Sequence, residues 1–273
     1  MKENVSNDQI IKDHYKVQAG KHKDSATSTM EDLTTRSKEV TLIRNFFRSP
    51  VIKKNCNNIL EIGCGNGYTL SHMTAEFPNY SYLGLDFSED LLKIANDRNL
   101  HGVKFEQGDV RKLRFDTDSF DVVFTERCII NLLTWEEQQQ GINEMHRVLK
   151  KGGYLLFIES FSDGYNNLNI ARNQMGLDSI PMPHHNLYFE REPFEAFISE
   201  KFNILEAKDL NADDAYPIHR NFLSSHYFVA RVIHPLLTKG DPTMRNTEFV
   251  KFFSFLTPSG CYSPIEAYIL QKK

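Results

Sequence analysis

Apolar and polar positions along this chain follow two rhythms, and the switches between them divide it into elements. Short runs of strand character lie at Asn58–Ile62, Tyr80–Asp86, Val103–Gln107, Phe120–Phe124 and Tyr154–Glu159. Stretches of helical spacing separate them. Ser88 is a good N-cap for the segment that follows the second run. Thr134 and Glu137 form a capping box ahead of Ile142, Met145, Val148 and Leu149, with Lys150-Lys151 and Gly152-Gly153 expected to finish that helix. Upstream, Leu33, Val40, Leu42, Ile43, Phe46 and Phe47 predict a helix over Met30–Phe47, capped by Ser28-Thr29 and ended by Ser49-Pro50. Lys21–Ser25 reads as a loop. Two later strands are expected at Phe202–Ala207 and Ile265–Leu270. Strand alternating with helix predicts an α/β fold: a Rossmann-like, doubly wound, mostly parallel seven-stranded sheet with helices on both faces.

The first strand runs into Gly63-Cys64-Gly65-Asn66-Gly67. Glycine allows a sharp turn and lets a ligand approach with no Cβ in the way. A helix then opens at Tyr68, and its N-terminal N–H groups can hold polar atoms. The G-x-G-x-G order is not the G-x-G-x-x-G of dinucleotide folds, and no Gly-Lys-Ser/Thr of a P-loop follows. Asp86 ends the second strand, about twenty residues on, where a nucleotide fold places an acid for ribose hydroxyls.

Glu61-Ile62-Gly63-Cys64-Gly65-Asn66-Gly67 resembles the first motif of the class I S-adenosylmethionine (SAM) dependent methyltransferases. Three further segments agree in order: Gly108-Asp109, Phe120-Asp121-Val122-Val123-Phe124, and Arg147-Val148-Leu149-Lys150-Lys151-Gly152-Gly153, where Lys151 replaces the family's proline. The resemblance covers residues 59–159. It implies SAM as cofactor and S-adenosylhomocysteine as product, bound by Glu61, Gly63, Cys64, Gly65, Asn66, Gly67, Asp86, Phe87, Ser88, Asp109, Val110, Thr125 and Glu126. It also implies that residues 1–50, read as helices ahead of the core, form a helical lid over the cofactor, with Tyr15 and Arg36 as candidates for the methionyl end. Beside that lid the expected layout is a core at 51–160, substrate-binding inserts carrying the sixth strand at 161–260, and the last strand at 261–273, in one integrated domain.

The inserts concentrate hydrogen-bonding and aromatic side chains and read as a cap. Candidate acceptor contacts are Arg127, Asn169, Arg172, His184, His185, Tyr188, His226, Tyr227 and Arg231. Arg127, at the mouth of the pocket, suits an anionic acceptor group or the cofactor carboxylate, or else an ion pair with Glu126 or another acid. Asn131 stands where the family often has a histidine. For catalysis the candidates are His185, Glu159 and Arg127, since a hydroxyl nucleophile must lose a proton. The expected activity is methyl transfer to oxygen or nitrogen of a small polar acceptor, phosphorylated or sugar-like, such as a polysaccharide precursor. The alternative is a non-catalytic SAM-binding regulator or assembly protein of the same fold.

The chain has 273 residues and a net charge of −4 at pH 7, which argues against a nucleic-acid binder. It has no apolar run of membrane-spanning length, and its polar start, Met1–Asp8, lacks a signal-type run, so a cytoplasmic protein is expected. Cys56, Cys64, Cys128 and Cys261 lack C-x-x-C spacing and read as reduced thiols. The His184-His185 pair has no carboxylate pattern beside it, so no metal is expected.

Overall fold

The computed structural model describes residues 6–22, 25, 30–238 and 246–273. Helix α1 spans Asn7–His22, α2 Leu33–Arg48 and α3 Pro50–Asn55. Helix α1 therefore reaches into the stretch expected to loop. Helix α2 starts later than expected, because the Asp32 carboxylate caps it by accepting the Thr35 N–H at 2.9 Å. The Ser28-Thr29 cap lies outside the described residues.

The core runs β1 Asn58–Ile62, α4 Tyr68–Glu76, β2 Ser81–Asp86, α5 Glu89–Asp97, β3 Val103–Gln107, β4 Phe120–Glu126, α6 Trp135–Val148 and β5 Leu149–Ser160. Then come α7 Ser162–Gln174, α8 Arg191–Ser199, β6 Phe202–Leu205, α9 Ser224–Phe228, a π-turn at Val229–Ile233, α10 His234–Leu237, α11 Glu248–Phe253 and β7 Ile265–Lys272. Helix α6 ends at Val148, four residues before the glycines expected to stop it. Leu149 already pairs with Phe120 of β4. The register with β4 shifts between the Phe120–Leu149 and Val122–Tyr154 pairs, across Gly152 at φ 74° and Gly153, where a Cβ would meet the Lys150 and Asp121 carbonyls at 2.8 and 3.0 Å.

The strands form one seven-stranded sheet in the order β3-β2-β1-β4-β5-β7-β6, with β7 antiparallel to both neighbours. Alternation along each strand sends side chains to two cores. Ile59, Phe124 and Leu156 face Ile43, Phe46, Phe47 and Met73; Leu60, Val123, Leu155 and Phe157 face Ile142, Met145 and Val148. Phe194 and Ile198 of α8 also lie in the second core, fully buried. So α8, inside the stretch expected to cap the substrate, packs on the sheet instead, while β6 joins the sheet beside β7 as the expected sixth strand. The chain reverses direction across the sheet between β1 and β4, and the register Ile62↔Thr125 sets the glycine turn beside Glu126–Cys128. That crevice is where open α/β sheets bind ligands.

Candidate cofactor and acceptor clefts

The glycine turn is built by backbone geometry that side chains resist. Gly63, Gly65 and Gly67 have φ of 76°, 54° and 72°, the left-handed region that favours glycine. The Gly63 and Cys64 N–H groups both donate to the Leu85 carbonyl, at 2.7 and 3.1 Å, which locks the turn onto the end of β2. Asp86 completes it: its carboxylate accepts the Gly65 N–H at 2.7 Å and the Ser88 N–H at 2.8 Å. Burial raises the Asp86 pKa, against the opposing pull of these N–H groups.

Above this turn lies a cleft with about 1020 Å³ of space, open to solvent. Of the residues expected to hold the cofactor, Tyr15, Arg36, Glu61, Gly63, Cys64, Gly65, Asn66, Asp86, Phe87, Ser88, Asp109, Val110 and Glu126 line it. Gly67 and Thr125 do not. Gly67 faces the sheet, where a Cβ would meet the Phe105 ring at 2.8 Å, and Thr125 is fully buried in β4. Four lining residues lie on one face of α1: Asp8, Ile11, Lys12 and Tyr15. Only Tyr15 was expected; the i, i+3, i+4, i+7 spacing of the four is the signal that finds the others. Arg111 is also unforeseen. It binds Asp109 through Nε and Nη2, Glu137 at 2.5 Å, and Asp8 at 3.0 Å, so it clasps α1 to the core. These bonds hold the Asp109 carboxyl below its ordinary pKa.

At the inner end of the cleft, five charged side chains meet. Arg36 binds Glu126 and donates to Thr69 at 2.7 Å; Arg127 donates to both oxygens of Glu39 at 2.7 and 3.2 Å. Burial, with the neighbouring Glu126, raises Glu61 well above the ordinary carboxyl range. Three buried atoms here lack a partner: Glu61 Oε2, Glu126 Oε1 and Arg36 Nε. Two acceptors and one donor suit a zwitterion, which carries both an ammonium and a carboxylate. The methionyl end of SAM is such a group, so the residues present fit it.

A second cleft opens beside the first and shares Tyr15, Arg127 and Asn131 with it. The Tyr15 hydroxyl donates to Asn131 Oδ1 at 2.7 Å, and Asn131 Nδ2 donates to the His185 carbonyl and Asn186 Oδ1 at 3.1 and 2.9 Å. This junction joins α1, the loop after β4 and the loop before α8. Of the expected acceptor residues, Arg127, His185, Tyr188, Tyr227 and Arg231 line the second cleft. His185 stacks on His14 at 3.8 Å, its Nδ1 is buried without a partner, and burial with His14 and His184 pushes its pKa down to about 4.

Four expected contacts lie elsewhere. Asn169 is tied to Ile180, donating to its carbonyl at 3.2 Å and accepting its N–H at 2.9 Å. Arg172 reaches the Asp178 and Arg231 carbonyls, His184 is exposed, and His226 is buried against Asp32 at 3.1 Å. Glu159, expected in catalysis, lines neither cleft. Its fully buried carboxylate accepts the N–H groups of Cys128, Ile129 and Ile130 at 3.0, 3.0 and 3.3 Å. It shapes the loop after β4, and burial raises its pKa to about 7.

Comparison with known proteins agrees with this geometry. Residues 59–153 match the family model described as a methyltransferase domain. The chain is 35% identical over 105 residues to phthiotriol/phenolphthiotriol dimycocerosates methyltransferase 1 of Mycobacterium ulcerans, a match covering 37% of this chain and 36% of that one. It is 32% identical over 103 residues to a fatty-acid O-methyltransferase of Mycolicibacterium smegmatis, covering 37% and 36%. With demethylmenaquinone methyltransferase of Staphylococcus carnosus it shares 30% over 132 residues, covering 45% and 53%. The chain thus spans between about a third and a half of the length of these relatives. In fold it is similar to a Pyrococcus horikoshii protein, with a TM-score of 0.53 at 20% identity over 71% of this chain and 91% of that one. It is also similar to a chain from the Haloferax volcanii complex between a methyltransferase activator and a methyltransferase, with a TM-score of 0.52 at 18% identity over 72% and 78%. Among the described residues no helix is long and apolar enough to cross a membrane. By its motifs, its sheet order and these matches, residues 59–153 form a class I SAM-dependent methyltransferase domain.

Proposed function

We propose that this chain moves a methyl group from SAM, held in the first cleft, to a small acceptor held in the second. The observation that carries this reading is the shared wall: Tyr15, Arg127 and Asn131 line both clefts. Methyl transfer is an in-line displacement, so donor and acceptor must meet across such a wall, with reacting atoms about 3 Å apart. When bound, SAM supplies an electrophilic methyl on a sulfonium. The chain's own residues then bind and orient. Glu61, Glu126 and Arg36 offer the unpaired atoms for the methionyl end, Asp86 the ribose acceptors, and α1 covers the cleft through the Arg111–Asp8 pair.

The second cleft's lining favours an amphipathic acceptor. Met30, Leu168, Ile180, Pro181, Pro183 and the rings of Tyr165, Tyr188 and Tyr227 give it a broad apolar wall. The expected sugar-like acceptor loses support, because two of the polar residues expected to contact it, Asn169 and Arg172, hold backbone groups instead. The relatives named for a fatty acid, a dimycocerosate and demethylmenaquinone agree with an apolar body. With a pKa of about 4, His185 is neutral near pH 7 and a weak base. Its role in this reading is to orient the acceptor by hydrogen bonding, with little proton abstraction.

The test has two stages. Calorimetry should find SAM and S-adenosylhomocysteine binding; its absence sinks the cofactor half. Methyl-labelled SAM is then incubated with hydroxylated and carboxylated amphiphiles. Label extracted into an organic phase supports transfer, and cofactor binding with no transfer to any of them favours the non-catalytic binder.

A further inference from the structure

We propose that the second cleft recognises the carboxylate of its amphipathic ligand through Nη1 of Arg231. The proposal deepens the acceptor reading above and rests on it for the ligand's role, though not for the recognition itself.

Arg231 sits in the π-turn Val229–Ile233, inserted between α9 and α10. A π-turn is rare, and occurs mostly as a single turn inside an α-helix, often at a functional site. Here it brings Arg231 to the cleft wall and two neighbours fix the guanidinium there. Nη2 donates to Asp32 Oδ2 at 3.1 Å, and the guanidinium carbon lies 3.9 Å from the centre of the Tyr227 ring. Asp32 is itself fully buried, held by the Thr35 N–H and by His226. The guanidinium therefore has one edge anchored and one face covered, and it has little freedom to swing.

Of its other two nitrogens, Nη1 is the informative one. Nη1 is buried with no partner, on a residue only 8% exposed that lines the second cleft and not the first. Buried donors in folded proteins almost always have an acceptor, and an unmatched charged one is costly. The acceptor for Nη1 is then a ligand atom. A guanidinium nitrogen calls for an anionic oxygen. Asp32 already offsets part of the positive charge, which favours a monoanion over a phosphate dianion. Arg127, the other cation on this cleft, is bound to Glu39, and Glu31 is exposed at the rim. Beyond Arg231, the rings of Tyr165 and Tyr188 with Leu168 and Ile180 receive an apolar body.

The experiment uses the full chain saturated with S-adenosylhomocysteine and two matched probe pairs: 4-hydroxyphenylacetate with its amide, and decanoate with its amide. Binding is read by calorimetry. At least one acid should bind about tenfold or more tighter than its amide, as a charge-assisted hydrogen bond provides. In Arg231→Gln that preference should vanish while amide and S-adenosylhomocysteine binding stay unchanged. Arg231→Lys, which keeps the charge without the fork, should retain only part of it. Acids binding no tighter than amides in the native chain overturn the proposal, and this comparison needs no folded variant. A preference that survives Arg231→Gln overturns it too, as does a phenyl phosphate probe that binds through Arg231 tighter than either acid. Failure of the native chain to bind S-adenosylhomocysteine would instead sink the methyltransferase reading, while the acid preference would still decide this one.

Discussion

Replacing Gly63 by alanine asks the glycine turn to accept one methyl group. Two separable penalties follow. At φ 76° an alanine is held in the left-handed region, which costs about 1–2 kcal/mol. The new carbon would also lie 2.6 Å from Cys128 Cβ and 2.7 Å from its Sγ, roughly 1 Å inside normal carbon contact. Cys128 has little room to retreat, because its N–H is bound to Glu159 at 3.0 Å. Overpacking of this kind costs about 1–3 kcal/mol, so the sum is about 2–5 kcal/mol. Gly102 provides the control. It has the same φ of 76°, but its nearest neighbour, the Tyr80 carbonyl oxygen, is 3.9 Å away. Gly102→Ala should therefore show the backbone penalty alone. The assay is urea denaturation of both variants, comparing midpoints at unchanged m. Gly63→Ala should be the worse by about 1–3 kcal/mol and should also weaken SAM binding, since Cys128 lines the cofactor cleft. Equal losses from the two substitutions would refute the reasoning, for the clash would then contribute nothing.

Other consequences are as direct. Asp86→Ala removes the acceptor of the Gly65 and Ser88 N–H groups, and SAM affinity by calorimetry should fall by about tenfold or more, as for loss of a charged hydrogen-bond partner. Glu159 titrates at about 7 in the folded chain against an ordinary 4.5. A raised carboxyl pKa gives stability that is full below the unfolded value and lost as pH rises through the folded one. The native chain should therefore lose on the order of 3 kcal/mol between pH 4.5 and 8 that Glu159→Gln does not, and parallel denaturation midpoints for the two across that range would contradict it. Asp8→Asn breaks one arm of the half-exposed Arg111 clasp. It should cost under about 1 kcal/mol, yet speed amide hydrogen exchange in α1; unchanged exchange would mean the clasp does not hold the helix.

The two clefts differ in how far the sequence could announce them. The cofactor cleft is written in local grammar: a turn that needs glycines, an acid at the next strand's end, apolar strands of fixed period. Each signal occupies a few consecutive residues, so Gly63, Asp86 and Asp109 could be placed before any fold was known. The lining residues of helix α1 other than Tyr15 escaped because Ile11 stands among the polar Asp8, Lys12 and Tyr15, so the face shows no apolar stripe. The acceptor cleft has no such grammar. It draws on α1, the loop after β4, the loop before α8, the π-turn and the entry to β7, and only folding brings them together. Side-chain type alone could not tell Arg231, which lines the cleft, from Arg172, which holds carbonyls. Glu159 misled for a related reason. A carboxylate at the end of a strand looks available, and its three N–H partners come from a loop about thirty residues away.

The charged cluster under the glycine turn shows why these signals coexist with a folded core. Arg36, Glu39, Glu61 and Glu126 are nearly or fully buried, and taking charges out of water costs several kcal/mol each unless partners compensate. Arg36 with Glu126 and Arg127 with Glu39 supply two pairings, which leaves Glu61 the acid in excess; burial first, and then the Glu126 charge beside it, raise its pKa. An apolar cluster of the same shape would stabilise the chain better. Packing alone therefore does not account for it, and the unpaired atoms locate what does: Glu61 Oε2, Glu126 Oε1 and Arg36 Nε all belong to residues that line the cofactor cleft. A ligand that satisfies them binds the folded state only, and at a hundredfold above its Kd adds about 2.7 kcal/mol of stability. The cluster is thus a stability cost at one cleft, and a ligand that brings both an ammonium and a carboxylate relieves it.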